Sequence, residues 1–210
     1  TRGPKLFARN CATCHRFGGL DGTGRPVKDP ETAADLQGFG GRQWLVGLLD
    51  PAAIRTVHYF GGTKFRDGKM ARFLARDVAG FDAAQREQLR QVALALSAEA
   101  GLRSQRLADL RDAAAIAAGR ALLTNGVVRC TECHPYQKPD PDATAPDLTG
   151  YGSRAWIIAL VTNPRHARFY GRRNDRMPAF GDDRVLDAQA IGLIADWLRG
   201  DWYEPGREPP

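Results

Sequence analysis

The sequence predicts an all-α protein built as two tandem modules, residues 1–100 and 101–210, and three observations carry that prediction. The pentapeptide Cys11-Ala12-Thr13-Cys14-His15 returns with the same C-x-x-C-H pattern as Cys130-Thr131-Glu132-Cys133-His134. The text that follows each copy runs in parallel. Ala34-Asp35-Leu36-Gln37-Gly38-Phe39-Gly40 matches Pro146-Asp147-Leu148-Thr149-Gly150-Tyr151-Gly152. Arg42-Gln43-Trp44 matches Arg154-Ala155-Trp156, and Tyr59-Phe60-Gly61 matches Phe169-Tyr170-Gly171. An internal duplication of this kind calls for two similar units. Apolar residues also recur at helical spacing, while the period-two alternation of strands is nearly absent.

Taken in order, a first helix is expected from about Pro4, a residue acceptable in a first turn, into the Cys11 motif. Its counterpart is expected from about Ala108 to Thr124. Middle helices are expected at Trp44 to Leu49 and Trp156 to Thr162, each stopped by a following proline. The closing helices are read at Ala83 to Ala98 and Leu186 to Arg199. In the first, Leu89, Val92, Ala93 and Leu96 share one face behind Asp82 as N-cap; in the second, Ile191, Ile194, Ala195 and Leu198 do, with Asp187 near the start and Gly200 as the stop. The module boundary is placed near Ala100-Gly101, and the Pro-rich tail after Trp202 is read as irregular.

With 43% hydrophobic and 26% charged residues, the composition is that of an ordinary globular protein. The formal charge of +6 is uneven: 15 basic against 10 acidic residues in 1–100, and 15 against 14 in the rest. These basic residues are scattered, with no basic tract or stacking aromatic series, which argues against nucleic acid as a partner. No apolar run has the length of a bilayer span. The chain begins Thr1-Arg2-Gly3, without an initiator Met or an apolar leader, as a processed chain or a piece of a longer one would.

All four cysteines lie in the two pentapeptides. C-x-x-C-H is the attachment signature of c-type heme. Two thiols on one helical turn can each add to a vinyl group of one porphyrin, and the next residue then offers its imidazole to the iron. A structural zinc site would bring its two C-x-x-C pairs to within roughly 15 to 20 residues, and neither zinc nor a disulfide explains why both pairs end in His. The cofactors expected are therefore two covalently attached heme c groups, held by Cys11, Cys14, Cys130 and Cys133 with His15 and His134 as iron ligands. Such attachment happens outside the bacterial cytoplasm, so the expected location is the periplasm or the outer face of the cytoplasmic membrane.

The second axial ligand is read as a methionine thioether, a soft donor suited to electron-transfer iron. Met70 and Met177, the chain's two methionines, fall at corresponding places on Gly-rich polar approaches; the alternative role of a methionine is adaptable core filler. The remaining histidines, His58 and His166, do not align and are read as surface or supporting residues. Arg42, Trp44, Tyr59, Arg154, Trp156 and Tyr170 recur in both halves. They are candidates for holding propionates and covering the porphyrin edge, with aromatic core packing as the equal alternative.

The C-x-x-C-H start, the P-D-L-x-G-like turn, the late Met and the closing amphipathic helix resemble class I cytochrome c, in two copies over nearly the whole chain. The resemblance implies that the Pro146 carbonyl accepts the His134 N–H; Ala34 stands at that place in the first module. Arg173-Asn174-Asp175-Arg176-Met177-Pro178-Ala179-Phe180 and the ending Ala195-Asp196-Trp197-Leu198-Arg199-Gly200-Asp201-Trp202-Tyr203 are similar to the diheme cytochrome c parts of bacterial quinol-oxidising cytochrome bc complexes. That similarity implies cytochrome b and a Rieske protein as partners. The basic first half suggests an acidic electron acceptor. The expectation is a carrier of single electrons with no substrate of its own and with unequal potentials at its two hemes. Its rivals are a diheme enzyme with one open heme, acting on peroxide or small sulfur or nitrogen compounds, and a heme-based redox or gas sensor.

Overall fold

The computed structural model describes residues 2–201. The tail from Trp202 onward, with the last two residues of the bc-like ending, lies outside the described residues. Eight α-helices are present in that range: α1 (Arg2–Asn10), α2 (Arg42–Leu48), α3 (Lys69–Arg76), α4 (Ala83–Ala100), α5 (Arg106–Arg111), α6 (Ala113–Asn125), α7 (Arg154–Thr162) and α8 (Ala188–Leu198). Among the described residues only isolated β-bridges occur, such as Arg16 to Asp35, and no helix is long and apolar enough to cross a membrane.

Local signals explain most of the ends. Asp82 closes a full capping box on α4: its carboxylate accepts from Gln85 N at 2.8 Å, while Gln85 Oε1 accepts from Asp82 N at 3.0 Å. Gly101, at φ 59°, ends that helix in the left-handed conformation. Asp187 caps α8 through Ala190 N at 2.7 Å, and Ser153 caps α7 through Trp156 N at 3.2 Å.

Two elements depart from expectation. The single helix foreseen from Ala108 to Thr124 is two, because Asp112 leaves helical geometry (φ −96°, ψ 17°) and gives its carboxylate to Arg42. Helix α3 was not foreseen. Its buried residues Ala71 and Leu74 lie three apart on one face, the spacing that was the overlooked signal.

The halves do not pack as two separate bodies. The entry helix of each crosses the closing helix of the other, α1 on α8 and α6 on α4, while α2 stays on α4 and α7 on α8. One continuous core results, from Phe7 and Leu45 through Val92 and Leu123 to Phe169 and Ile194. Glycine permits both crossings. A Cβ on Gly3 would sit 2.6 Å from Trp197 Cβ, and one on Gly119 would overlap the Gln91 carbonyl oxygen and lie 2.9 Å from Ala95 Cβ. In an unhindered helix Gly→Ala gains about 1 kcal/mol. At Gly119 the obstacle is backbone that cannot rotate away, so Gly119→Ala is expected to reverse that sign and destabilise by about 1–3 kcal/mol. Denaturant unfolding of the holoprotein checks this, with Gly80→Ala, where a Cβ meets nothing within 4 Å, as the near-neutral control.

A second close approach lies where the two halves meet. Gly40 and Gly152 hold equivalent positions at φ 75° and 73°, conformations that disfavour a side chain. A Cβ on Gly152 would lie 3.3 Å from Gly40 Cα and 3.1 Å from Ala100 Cβ. Beside them the largely buried Arg199 donates to Ala100 O at 2.6 Å and Gly152 O at 2.8 Å, closing the end of α4 onto the second half.

Candidate heme-attachment sites

Each C-x-x-C-H pentapeptide is wound into one tight turn. After α1, Cys14 N and His15 N both donate to Cys11 O, at 3.1 and 2.9 Å; in the second half Cys133 N and His134 N donate to Cys130 O, at 3.2 and 3.0 Å. Two thiols and an imidazole thereby leave the same turn. The segment that crosses beneath is also repeated. Thr32 N and Ala33 N donate to Cys14 O, as Thr144 N and Ala145 N do to Cys133 O.

That crossing segment delivers the decisive contact. His15 Nδ1 lies 2.7 Å from Ala34 O, and His134 Nδ1 lies 2.6 Å from Pro146 O. A carbonyl only accepts, so Nδ1 carries the proton in both rings and the lone pair is left on Nε2. This is the tautomer an iron ligand needs, fixed by the backbone. The residue type does not matter: Ala34 supplies the same acceptor as Pro146. Burial, the largest influence, holds both imidazoles below the ordinary histidine range, which keeps them neutral near neutral pH.

The donors fit a covalently held porphyrin better than a bare ion. Burial pushes the Cys11 thiol up to about 12 and the Cys130 thiol up to about 11, away from the thiolate that metal ligation requires. Among the described residues no group of three His, Cys, Asp or Glu side chains could hold a metal ion, and no disulfide joins the cysteines. Thr144 Oγ1, beside the second turn, is buried without a protein partner, a polar atom that a bound group would satisfy.

Residues 1–92 match the family model described as Cytochrome c. The match supports a class I c-type cytochrome over that segment, with covalently bound heme c and electron-transfer chemistry. It contains Cys11, Cys14, His15 and Met70. No curated protein and no solved structure matches the chain.

Within and beyond the cytochrome c segment, the structure sorts the other foreseen residues. Trp44 and Trp156 take equivalent places: their indole N–H groups donate to Asp35 O at 3.1 Å and Asp147 O at 2.9 Å. Their polar edges thus brace the carbonyl-bearing segment. Arg42 is likewise committed elsewhere, to Asp109 at 2.7 Å and to Asp112, and Arg154 to Asp196 at 2.6 Å. Charge pairing inside the protein claims both guanidinium groups.

Tyr59 and Tyr170 are not equivalents. Tyr59 packs edge-on against Trp44 at 5.4 Å and donates to Trp44 O at 3.1 Å, whereas Phe169 holds that place against Trp156 at 5.2 Å. Tyr170 matches Phe60 and stacks on Phe65 at 5.6 Å. His58 is half-buried, 4.0 Å from Asp35 Oδ2, and His166 is exposed, with Nδ1 accepting from Arg168 N at 3.1 Å.

Met70 and Met177 are both half-buried against the core, on different backbones. Met70 is the second residue of α3, while Met177 lies in an irregular segment whose Met177 O accepts from Asn174 Nδ2 at 2.9 Å. The local parallel read from sequence therefore ends before the methionines.

Arg16, 2% exposed, was missed. It donates to Ala12 O and to His15 O at 2.9 Å, and to Asp29 O, locking the loop under the first turn. Pro135 stands in its place in the second half. A charge directly after the motif was the only signal in the sequence.

Proposed function

We infer that the chain carries single electrons through two covalently attached c hemes, one in each half, with His15 and Met70 as axial ligands of one and His134 and Met177 of the other. When bound, the heme supplies a one-electron iron couple. The observation that carries this reading is the repeated hydrogen bond from each motif histidine to a backbone carbonyl, which presents two Nε2 lone pairs in matched surroundings. Cys11 and Cys14, and Cys130 and Cys133, provide the thioether tethers. Met70 and Met177 would supply the second ligand of each iron and, by saturating it, close the metal to reactants.

The two sites differ in one ion pair. Arg16 buries a guanidinium next to His15 and 3.9 Å from Glu31, where the second half has Pro135 and Ala143. The two sites are thus assigned unequal potentials. The reading extends to redox proteins as partners, among them an acidic acceptor, with work in or beside a quinol-oxidising cytochrome bc complex on the periplasmic side of the cytoplasmic membrane.

One observation favours a second reading: Met70 sits in a helix, unlike Met177, so an enzyme or sensor would open at the first site. Carbon monoxide separates the two. The reduced holoprotein is expected to bind none, and peroxide is expected not to be turned over. Saturable carbon monoxide binding at one heme per chain would make the open-site reading the better one.

A further inference from the structure

An unbroken row of rings runs from one half to the other. Tyr59 meets Trp44 at 5.4 Å between centroids, Trp44 meets Phe39 at 4.9 Å, Phe39 meets Tyr151 at 5.4 Å, Tyr151 meets Trp156 at 4.9 Å, and Trp156 meets Phe169 at 5.2 Å. Every step lies within the range of direct aromatic contact. The two halves contribute equivalent members, and the row passes from one half to the other at Phe39, which meets Tyr151 at 5.4 Å and also Trp156 directly at 6.1 Å. The close approach of Gly40 and Gly152, the residues that follow Phe39 and Tyr151, allows those two rings to meet. Trp44, Tyr151 and Trp156 are buried and Phe39 is half-buried, so little water separates the rings.

At the second ring from each end, an indole N–H ties the row to the segment that holds a motif histidine. Trp44 Nε1 donates to Asp35 O, one peptide away from the Ala34 carbonyl that accepts the His15 proton; Trp156 Nε1 donates to Asp147 O, one peptide from the Pro146 carbonyl on His134. The same sequence of links can therefore be read from either imidazole towards the contact between the halves.

We propose that Trp44, Phe39, Tyr151 and Trp156, with the Ala34–Asp35 and Pro146–Asp147 peptides, form the electronic coupling path between the two imidazoles. The proposal rests on the two-heme reading. Bonded and closely packed atoms carry coupling that a gap or a disordered water would weaken. The transfer makes and breaks no bond and moves no proton: the giving site is oxidised by one electron and the receiving site reduced by one. Phe65 on Tyr170, at 5.6 Å, is another aromatic contact between the halves; it is not joined to either histidine through this set of hydrogen bonds.

The test is pulse radiolysis of the holoprotein, following re-equilibration of a single injected electron between the two sites, with midpoint potentials and Soret spectra recorded on the same samples. Phe39→Leu and Tyr151→Leu keep apolar bulk and remove the ring: Phe39→Leu is expected to slow re-equilibration severalfold at unchanged potentials, and Tyr151→Leu to slow it by less, because Phe39 still meets Trp156 at 6.1 Å. Tyr151→Phe and Phe65→Leu are expected to keep the wild-type rate. A merely structural role would instead move the potentials or the melting temperature and leave the rate at constant driving force alone. Wild-type rates in both leucine variants, or equal slowing in Phe65→Leu, overturn the proposal. Should Phe39→Leu fail to fold, Tyr151→Leu against Tyr151→Phe decides it. A preparation with one heme per chain would overturn the two-heme reading itself, an outcome seen before any rate is measured.

Discussion

Replacing Cys130 and Cys133 together by alanine is expected to leave one covalently bound heme per chain where the two-heme reading gives the unaltered protein two. The reason lies in the independence of the two turns. Each carries its own pair of thiols and its own histidine, wound by hydrogen bonds to the first cysteine's carbonyl, and neither turn borrows a donor from the other. Removing two sulfur atoms deletes the tether while His134 keeps its bond to Pro146 O at 2.6 Å. The converse variant, Cys11→Ala with Cys14→Ala, is expected to spare the second site. Intact mass under denaturing conditions reads the number of attached groups directly. The shared core adds a further expectation: loss of either heme lowers the stability of the whole chain, because α1 and α6 each pack in the territory of the other half.

Met177→Ala is expected to have the second largest effect, opening one iron. The variant should bind carbon monoxide at one heme per chain when reduced, lose the far-red band of thioether coordination at that site, and show a lowered potential there. The size of that drop falls within the ~0.8 V range over which axial ligands set heme potentials. Alanine has no donor to replace the thioether, and the Asn174 to Met177 O bond with Pro178 behind it keeps the segment from collapsing onto the vacated position. Met70→Ala should do the same at the other heme. If either alanine variant kept the wild-type spectrum, the methionine it replaces would be core filler.

Legibility in the sequence followed the range of the interactions. Asp82, Asp187 and Gly101 act within one turn of the helices they end, so α4 and α8 could be placed from local spelling. The break at Asp112 could not, because the partner that claims its carboxylate, Arg42, lies 70 positions earlier. The exchange of entry helices was hidden by the duplication itself. Gly3 with Phe7 and Gly119 with Leu123 present the same small-then-bulky spacing, so each entry helix suits either closing helix and the pattern does not choose.

The attachment turns and their histidines were readable because covalent chemistry dictates their spacing. The equivalence of Ala34 with Pro146 was less so, since the working atom is a backbone oxygen that no side chain announces. Arg42 and Arg154 illustrate the opposite case. Their recurrence suggested one shared task, and each instead pairs with carboxylates whose positions do not correspond between the halves.

The account stands most directly on the coordination of the two irons, which electron paramagnetic resonance and magnetic circular dichroism of the resting and reduced holoprotein can establish together. Two six-coordinate low-spin irons, each with one imidazole nitrogen and one thioether sulfur in both oxidation states, are the predicted result. A high-spin or water-ligated iron at either site in the resting protein would contradict it.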